Sequence, residues 1–168
     1  MSEPTLIRVD FRLLHGMVAT NWVRSLKIVE IYIIDDGVYN DEFLRQVFDL
    51  AKPVGTTLTF LTLEQAAQKW MEGGFEEKPK TPSLLLIKNI YNAKALYDAG
   101  MKFHKLIIGN TEVAPKKTHF NNVYFMDEDD ARIVSSMADD GVEITLQEQA
   151  VTKSLPWAKV KAKYFRKL

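Results

Sequence analysis

The chain has 168 residues, of which 46% are hydrophobic, and it contains no cysteine. This length suits one domain, or one domain with a tail, and the apolar fraction is enough for a sizeable core. The lack of cysteine excludes disulfides, thiolate nucleophiles and cysteine-based metal sites. No apolar run approaches the roughly 18 residues of a membrane-spanning helix, and the first residues do not resemble a signal peptide. We therefore expect a cytoplasmic protein.

The formal net charge of zero hides an uneven distribution of charge. From Lys153 to Leu168 there are six basic residues and no acidic residue, whereas the preceding part has 16 basic and 22 acidic residues. An acidic body lacks the positive surface that nucleic-acid binding requires. We expect a domain at residues 1–152 and a basic C-terminal tail at residues 153–168.

Seven short runs rich in β-branched, leucine and aromatic residues follow one another along the chain. Their length and composition favour strands over helices. In chain order they are TLIRV, VEIYIID, TTLTFL, SLLLIK, KLIIG, NVYFM and VEITLQ.

Segments with helical spacing lie between these runs. Apolar residues in 44–51 recur at i, i+3, i+4 and i+7, and Asn40 precedes them. Thr62 and Gln65 form a capping-box pattern, and Asp127 can cap a further helix. The alternation predicts an α/β fold, with an open, mostly parallel sheet of about six or seven strands and helices on both faces.

The stretch RVDFRLLHG, residues 8–16, concentrates charge where the first strand ends and the first helix begins. In open α/β sheets, ligands bind beyond the carboxyl ends of the strands. A helix that starts at about Met17 or Val18 directs its first amides toward this edge, where they favour an anion. Arg8 and Arg12 add forked donors that suit phosphate.

Within this loop His15 is the one nucleophile, and Gly16 allows backbone to approach a ligand closely. A neutral imidazole can attack phosphorus if its second nitrogen is held by an acceptor, and Asp10 can supply that acceptor or orient Arg12. The scheme requires no cofactor and no metal. The alternatives are a solvated histidine, and arginines that only pair with nearby carboxylates.

The same residues carry a resemblance to a known family. The stretch IRVDFRLLHGMVATNWV resembles the N-terminal signature of IIB subunits of the mannose/fructose/sorbose family of sugar phosphotransferase systems. The similarity continues to DEDDARIVSSMADDGVEI, about 150 residues in all. The positions that match the signature are Arg8, Asp10, Arg12, Leu13, His15, Gly16, Val18, Ala19 and Trp22.

The resemblance implies a phosphotransferase that carries phosphohistidine. A IIA protein would donate the phosphoryl group to Nδ1 of His15, and a sugar crossing the membrane through IIC and IID proteins would accept it. Arg8 and Arg12 would hold phosphate, Asp10 would orient the loop or the ring, and the backbone of Gly16 and Met17 would supply amides. The protein would then be cytoplasmic and peripherally associated with its membrane transporter.

Three positions depart from the family pattern. Phe11 stands where an aspartate is frequent, Met17 where a glutamine is common, and Gly109-Asn110 where two glycines are usual. These departures keep open an alternative function, namely a non-catalytic regulatory or anion-binding domain of the same fold.

Four further polar residues follow predicted strands and belong at the same edge of the sheet. Asp35 and Asp36 end the second strand, and we expect them to form hydrogen bonds with arginines or with the loop. Lys88 and Asn89 end the fourth strand and either contact phosphate or cap the next helix.

Overall fold

A computed structural model describes residues 3–168. Its main feature is a seven-stranded sheet in which six strands are parallel and the last is antiparallel to its neighbour. Its strands are β1 Leu6–Asp10, β2 Glu30–Ile34, β3 Thr57–Leu61, β4 Ser83–Ile87, β5 Lys105–Asn110, β8 Glu143–Leu146 and β9 Leu155–Pro156. The strand order is β3-β2-β4-β1-β5-β8-β9. The predicted open, mostly parallel sheet is confirmed.

One predicted strand lies outside this sheet. The run NVYFM forms β7, Tyr124–Met126, which pairs antiparallel with β6, Thr118–Phe120, in a separate hairpin. The seventh strand of the main sheet is instead β9 near the C-terminus. A short apolar strand can pair with any free strand edge, so its composition does not predict which strand becomes its partner.

Helices lie on both faces of the sheet, as predicted. The first helical segment covers residues 16–25, and its central part, Val18–Val23, has π-helical hydrogen bonds. The α-helices are α1 Asp36–Tyr39, α2 Glu42–Ala51, α3 Leu63–Met71, α4 Ile90–Asp98, α5 Glu128–Asp139 and α6 Trp157–Tyr164. Thr62 and Asp127 both cap their helices through capping boxes, whereas the cap of α2 is Asp41 rather than Asn40.

Alternation along the strands divides the core into two layers, because successive side chains of a strand point to opposite faces. On β1, Ile7 and Val9 face the layer formed with α3, α4, α5 and α6. Leu6 faces the layer formed with the π-helical segment and α1. Near-continuous burial of β1, β2 and β4 is typical of parallel strands covered on both sides.

The predicted basic tail is part of the packed domain. Trp157, Val160 and Phe165 are buried in the same layer as α5, and the Trp157 indole donates to Ser135 Oγ at 3.1 Å. The expected boundary at residue 153 is therefore wrong for this structure. Charge dominates the composition of residues 153–168, but Trp157 and Val160, about one turn apart, bury one face of α6, and Phe165 is buried directly after the helix.

Candidate active site

Strand β1 carries two charged side chains into the interior at its carboxyl end. Arg8 and Asp10 are both 0% exposed, and they share one face of the strand because they are two residues apart. A buried charge is costly unless it is paired and hydrogen-bonded. The contacts of Arg8 and Asp10 therefore show what each side chain does.

Arg8 binds protein atoms rather than solvent. Its Nη1 donates to the carbonyl oxygen of Gln147 at 2.7 Å, and its Nη2 donates to the carbonyl of Glu148 at 2.9 Å and to Asp10 Oδ2 at 3.2 Å. Its Cζ also lies 5.1 Å from the centre of the Trp22 ring. Burial lowers the Arg8 pKa, and the Asp10 charge opposes that effect. The expectation that Arg8 holds phosphate is wrong for this geometry.

Gly109 on the neighbouring strand makes room for this guanidinium group. A Cβ added at Gly109 would lie 1.9 Å from Arg8 Cζ, far inside van der Waals contact. Gln147 and Glu148 were not predicted to belong to the site, and Gly109 was noted only as part of a departure from the family pattern. No local pattern marks them, since the hydrogen bonds of Arg8 reach 139 and 140 residues along the chain.

Asp10 organises the loop that follows the strand. Its Oδ1 accepts the backbone N–H of Arg12 at 3.1 Å, and its carbonyl accepts the N–H of Leu13 at 2.9 Å. Leu13 has φ 58°, a left-handed conformation that costs a non-glycine residue roughly 1–2 kcal/mol. Burial of Leu13 and Leu14 holds the loop in this shape.

His15 leaves this loop with a defined orientation. Its Nε2 lies 2.9 Å from Asp10 Oδ2, and its side chain is 14% exposed. A carboxylate can only accept, so Nε2 carries a hydrogen, and whenever the ring is neutral Nδ1 keeps its lone pair. Nδ1 has no hydrogen-bond partner among residues 3–168. In the neutral ring Nδ1 is therefore the nitrogen that is open to an incoming group, while the Asp10 carboxylate holds the ring through Nε2.

The groups around His15 can receive an anion. The helix begins at Gly16, directly after His15, so the amides of its first turn have no partners within the helix. A Cβ on Gly16 would meet no atom within 4 Å, which leaves the approach open, and Met17 is half-buried. Arg12 is exposed, and its guanidinium forms no ion pair within the described chain. The phosphate-binding roles of Gly16, Met17 and Arg12 stay predictions.

Asp35 and Asp36 bind backbone amides rather than arginines. Asp35 Oδ1 accepts the N–H of Val38 at 2.9 Å and caps α1, and Asp36 Oδ1 accepts the N–H of Leu63 at 2.8 Å. Both carboxylates therefore stabilise helix starts.

Lys88 and Asn89 lie at the carboxyl edge, as predicted. Asn89 caps α4 by accepting the N–H of Asn92 at 2.8 Å, and Lys88 is exposed. Both residues line a crevice of about 190 Å³ that also includes Val9, the neighbour of Asp10.

Comparison with known proteins identifies the family. Residues 4–167 match the family described as the PTS (phosphotransferase system) sorbose subfamily IIB component. The chain belongs to this family. Its IIB relatives include the sorbose-specific EIIB component of Klebsiella pneumoniae, 26% identical over 151 residues that cover 90% of each chain. The mannose-specific EIIAB component of Escherichia coli K12 is 24% identical over 89% of this chain and 46% of that longer protein.

Solved structures of similar proteins share the fold of this IIB component. The crystal structure of manxB from Thermoanaerobacter tengcongensis has a TM-score of 0.85 and 26% identity, with 98% of each chain covered. The IIBSor domain of the sorbose permease from Klebsiella pneumoniae has a TM-score of 0.82 and 26% identity, with coverage of 97% and 99%. Sugar phosphotransferase chemistry is therefore the role of the family to which the chain belongs. Within residues 3–168, no helix combines the length and apolar character needed to cross a bilayer.

Proposed function

We propose that this chain is a phosphocarrier in which His15 takes a phosphoryl group from a IIA component and passes it to a sugar. The observation that carries the proposal is the hydrogen bond between Asp10 and His15 Nε2, which leaves Nδ1 as the nucleophile at the start of a helix. The alternative is a non-catalytic regulatory or anion-binding domain of the same fold, which would need no nucleophilic nitrogen at this position.

In the first step the Nδ1 lone pair attacks phosphorus on the phosphohistidine of the donor. A nitrogen–phosphorus bond forms on His15 as the corresponding bond of the donor breaks. Asp10 continues to accept from Nε2 and stabilises the positive charge that the ring gains. Arg12 and the amides of Gly16 and Met17 are the groups we assign to the phosphoryl oxygens.

In the second step the oxygen of a sugar hydroxyl attacks phosphorus, the bond to Nδ1 breaks, and the hydroxyl proton is released. The names of relatives refer to sorbose, mannose, fructose and N-acetylgalactosamine. They support a hexose, or its N-acetyl derivative, as the class of acceptor. We further propose that membrane IIC and IID components present the sugar, and that the chain works in the cytoplasm at their surface.

The test is phosphorylation with phosphoenolpyruvate, the general phosphotransferase proteins and a matching IIA protein. The wild-type chain should acquire one acid-labile phosphoryl group, and His15→Ala should acquire none. His104→Ala and His119→Ala are matched controls, because they change the other two histidines, both exposed. Label that persists in His15→Ala would refute the assignment, and a wild-type chain without label would favour the non-catalytic alternative. Long-range ¹H–¹⁵N spectra distinguish Nδ1 from Nε2 as the phosphorylated atom.

A further inference from the structure

The crevice beside the active site lies at the carboxyl ends of three central strands. Val9 of β1, Lys88 after β4 and Asn110 of β5 border it, together with the first turns of α4 and α5. It lies on the α4 side of the sheet, because Val9 belongs to that layer of the core. Its volume of about 190 Å³ is smaller than a drug-sized pocket and suits a small ligand.

Asn110 is one of two buried polar side chains that line this crevice, and the other is Asp130. It is 7% exposed, and its carboxamide has no hydrogen-bond partner among the residues that the structure describes. Gly109 faces Arg8, so by alternation Asn110 points to the opposite face, where the crevice lies. Its polar atoms are accessible from the crevice, because Arg8 Nε is the only fully enclosed side-chain nitrogen or oxygen without a partner among the described residues. The carboxamide can therefore exchange its contacts with solvent for contacts with the hydroxyl groups of a ligand.

The charges around the crevice do not favour an anion. Lys117 binds Asp130 at 2.7 Å, and Asp130 is buried and also accepts from the Tyr91 hydroxyl at 2.8 Å. The remaining charged residues of the crevice are Lys88 and Glu112, which are exposed and opposite in sign. Two cations against two carboxylates leave no net positive potential for phosphate.

The rest of the lining suits a ring that bears hydroxyl groups. Apolar and aromatic walls come from Val9, Tyr91, Val113 and Phe125, which can cover the carbon face of a sugar. The Asn110 carboxamide offers a donor and an acceptor side by side, the arrangement that two neighbouring hydroxyl groups require.

We propose that this crevice binds the neutral ring of a monosaccharide, with the Asn110 carboxamide bonded to adjacent hydroxyl groups. The inference rests on the proposed function, because it assigns to the crevice a ligand of the class that accepts the phosphoryl group. The IIB component then holds the sugar next to the strand end that carries Asp10, in addition to the contacts made by the membrane components.

The experiment titrates the full chain with mannose, fructose, sorbose and N-acetylgalactosamine while ¹H–¹⁵N amide shifts are recorded. Inorganic phosphate and mannose 6-phosphate form separate arms. We expect at least one sugar to give saturable shifts at residues 88–91 and 110–114, with a Kd of roughly 1 mM or weaker. Asn110→Gly should weaken binding at least tenfold. Val113→Trp, at an exposed rim position, should weaken it by obstruction without altering the core. Gln46→Leu, on the distant exposed face of α2, should bind as the wild type does.

Three outcomes would overturn the inference. They are the absence of saturable shifts with every sugar, unchanged binding in both crevice variants, and inorganic phosphate binding the same amides more tightly than any sugar. The phosphorylation assay on His15 needs no sugar, so it separates the two proposals. Labelled His15 without sugar binding would remove the crevice inference alone, whereas an unlabelled His15 would remove the proposed function.

Discussion

Replacement of the two site arginines by methionine should affect different properties of the protein. Arg8 is buried and holds Gln147, Glu148 and Asp10 through three hydrogen bonds, whereas Arg12 is exposed. We expect Arg8→Met to lower the free energy of unfolding. It should not abolish phosphoryl transfer, because the arginine that we assign to the phosphoryl group is the exposed Arg12. We expect Arg12→Met to slow phosphoryl transfer and to leave stability unchanged.

The magnitude for Arg8→Met follows from the groups that lose their partner. Removal of one member of a buried ion pair costs about 3–5 kcal/mol, because the carboxylate of Asp10 stays buried. Two backbone carbonyls also lose their donors, and the methionine chain offsets part of that loss by filling the space. A loss of about 3–5 kcal/mol is a large share of the roughly 5–15 kcal/mol of a typical domain. It should lower Tm by roughly 6–20 °C.

Urea unfolding followed by circular dichroism measures both variants. The slope m should stay close to the wild-type value, so the change appears in the midpoint. Arg8→Lys should also be destabilised, because one ammonium nitrogen cannot reproduce the fork that reaches three oxygens. Arg12→Met should lie within about 0.5 kcal/mol of the wild type. The reasoning fails if Arg8→Met is equally close to the wild type, or if Arg12→Met loses as much as Arg8→Met.

Three further predictions follow from individual contacts. Gly109→Ala places a methyl group 1.9 Å from the buried guanidinium carbon of Arg8. It should therefore lower the free energy of unfolding by about 1–3 kcal/mol. An unchanged midpoint of urea unfolding would contradict this prediction. Asp10→Asn removes the negative charge that faces His15, so it should slow phosphoryl transfer by about 10²-fold or more. The initial rate of labelling measures this effect. A rate equal to that of the wild type would count against the mechanism. The backbone N–H of Asp130 holds the Asp127 pKa below its ordinary value. The stabilisation from Asp127 is therefore complete above about pH 5 and lost as pH falls below about 4. Asp127→Asn should lose less stability over that range, and an identical pH profile for the two proteins would exclude the effect.

Much of the fold could be predicted from local patterns. The alternation of apolar strands with helical spacing indicated the α/β sheet, and the capping box at Thr62 and the helix cap at Asp127 appear as predicted. The place of the His15 loop also followed, because a parallel sheet brings the ends of its strands to one edge. Each of these signals comes from residues within a few positions of one another.

The site itself required the tertiary structure. Arg8 and Arg12 are equally basic in the sequence, but Arg8 belongs to a central strand buried on both faces and Arg12 to an exposed loop. Sequence spacing could not predict that the carbonyl oxygens of Gln147 and Glu148 accept hydrogen bonds from Arg8. It also could not predict that the missing side chain of Gly109 leaves the space that the Arg8 guanidinium occupies. The composition of residues 153–168 likewise predicted a basic tail. In the structure, three buried side chains of this segment pack α6 and its C-terminal end against the core.

The sequence by itself therefore determined the elements of this protein, their order and the edge of the sheet at which His15 lies. The tertiary structure decided which charges face solvent, which nitrogen of His15 is free, and which polar groups have no partner. The physical reason is range. Strand and helix patterns arise from interactions between near neighbours, whereas the burial of a charge depends on strands and loops that fold against it from the far end of the chain.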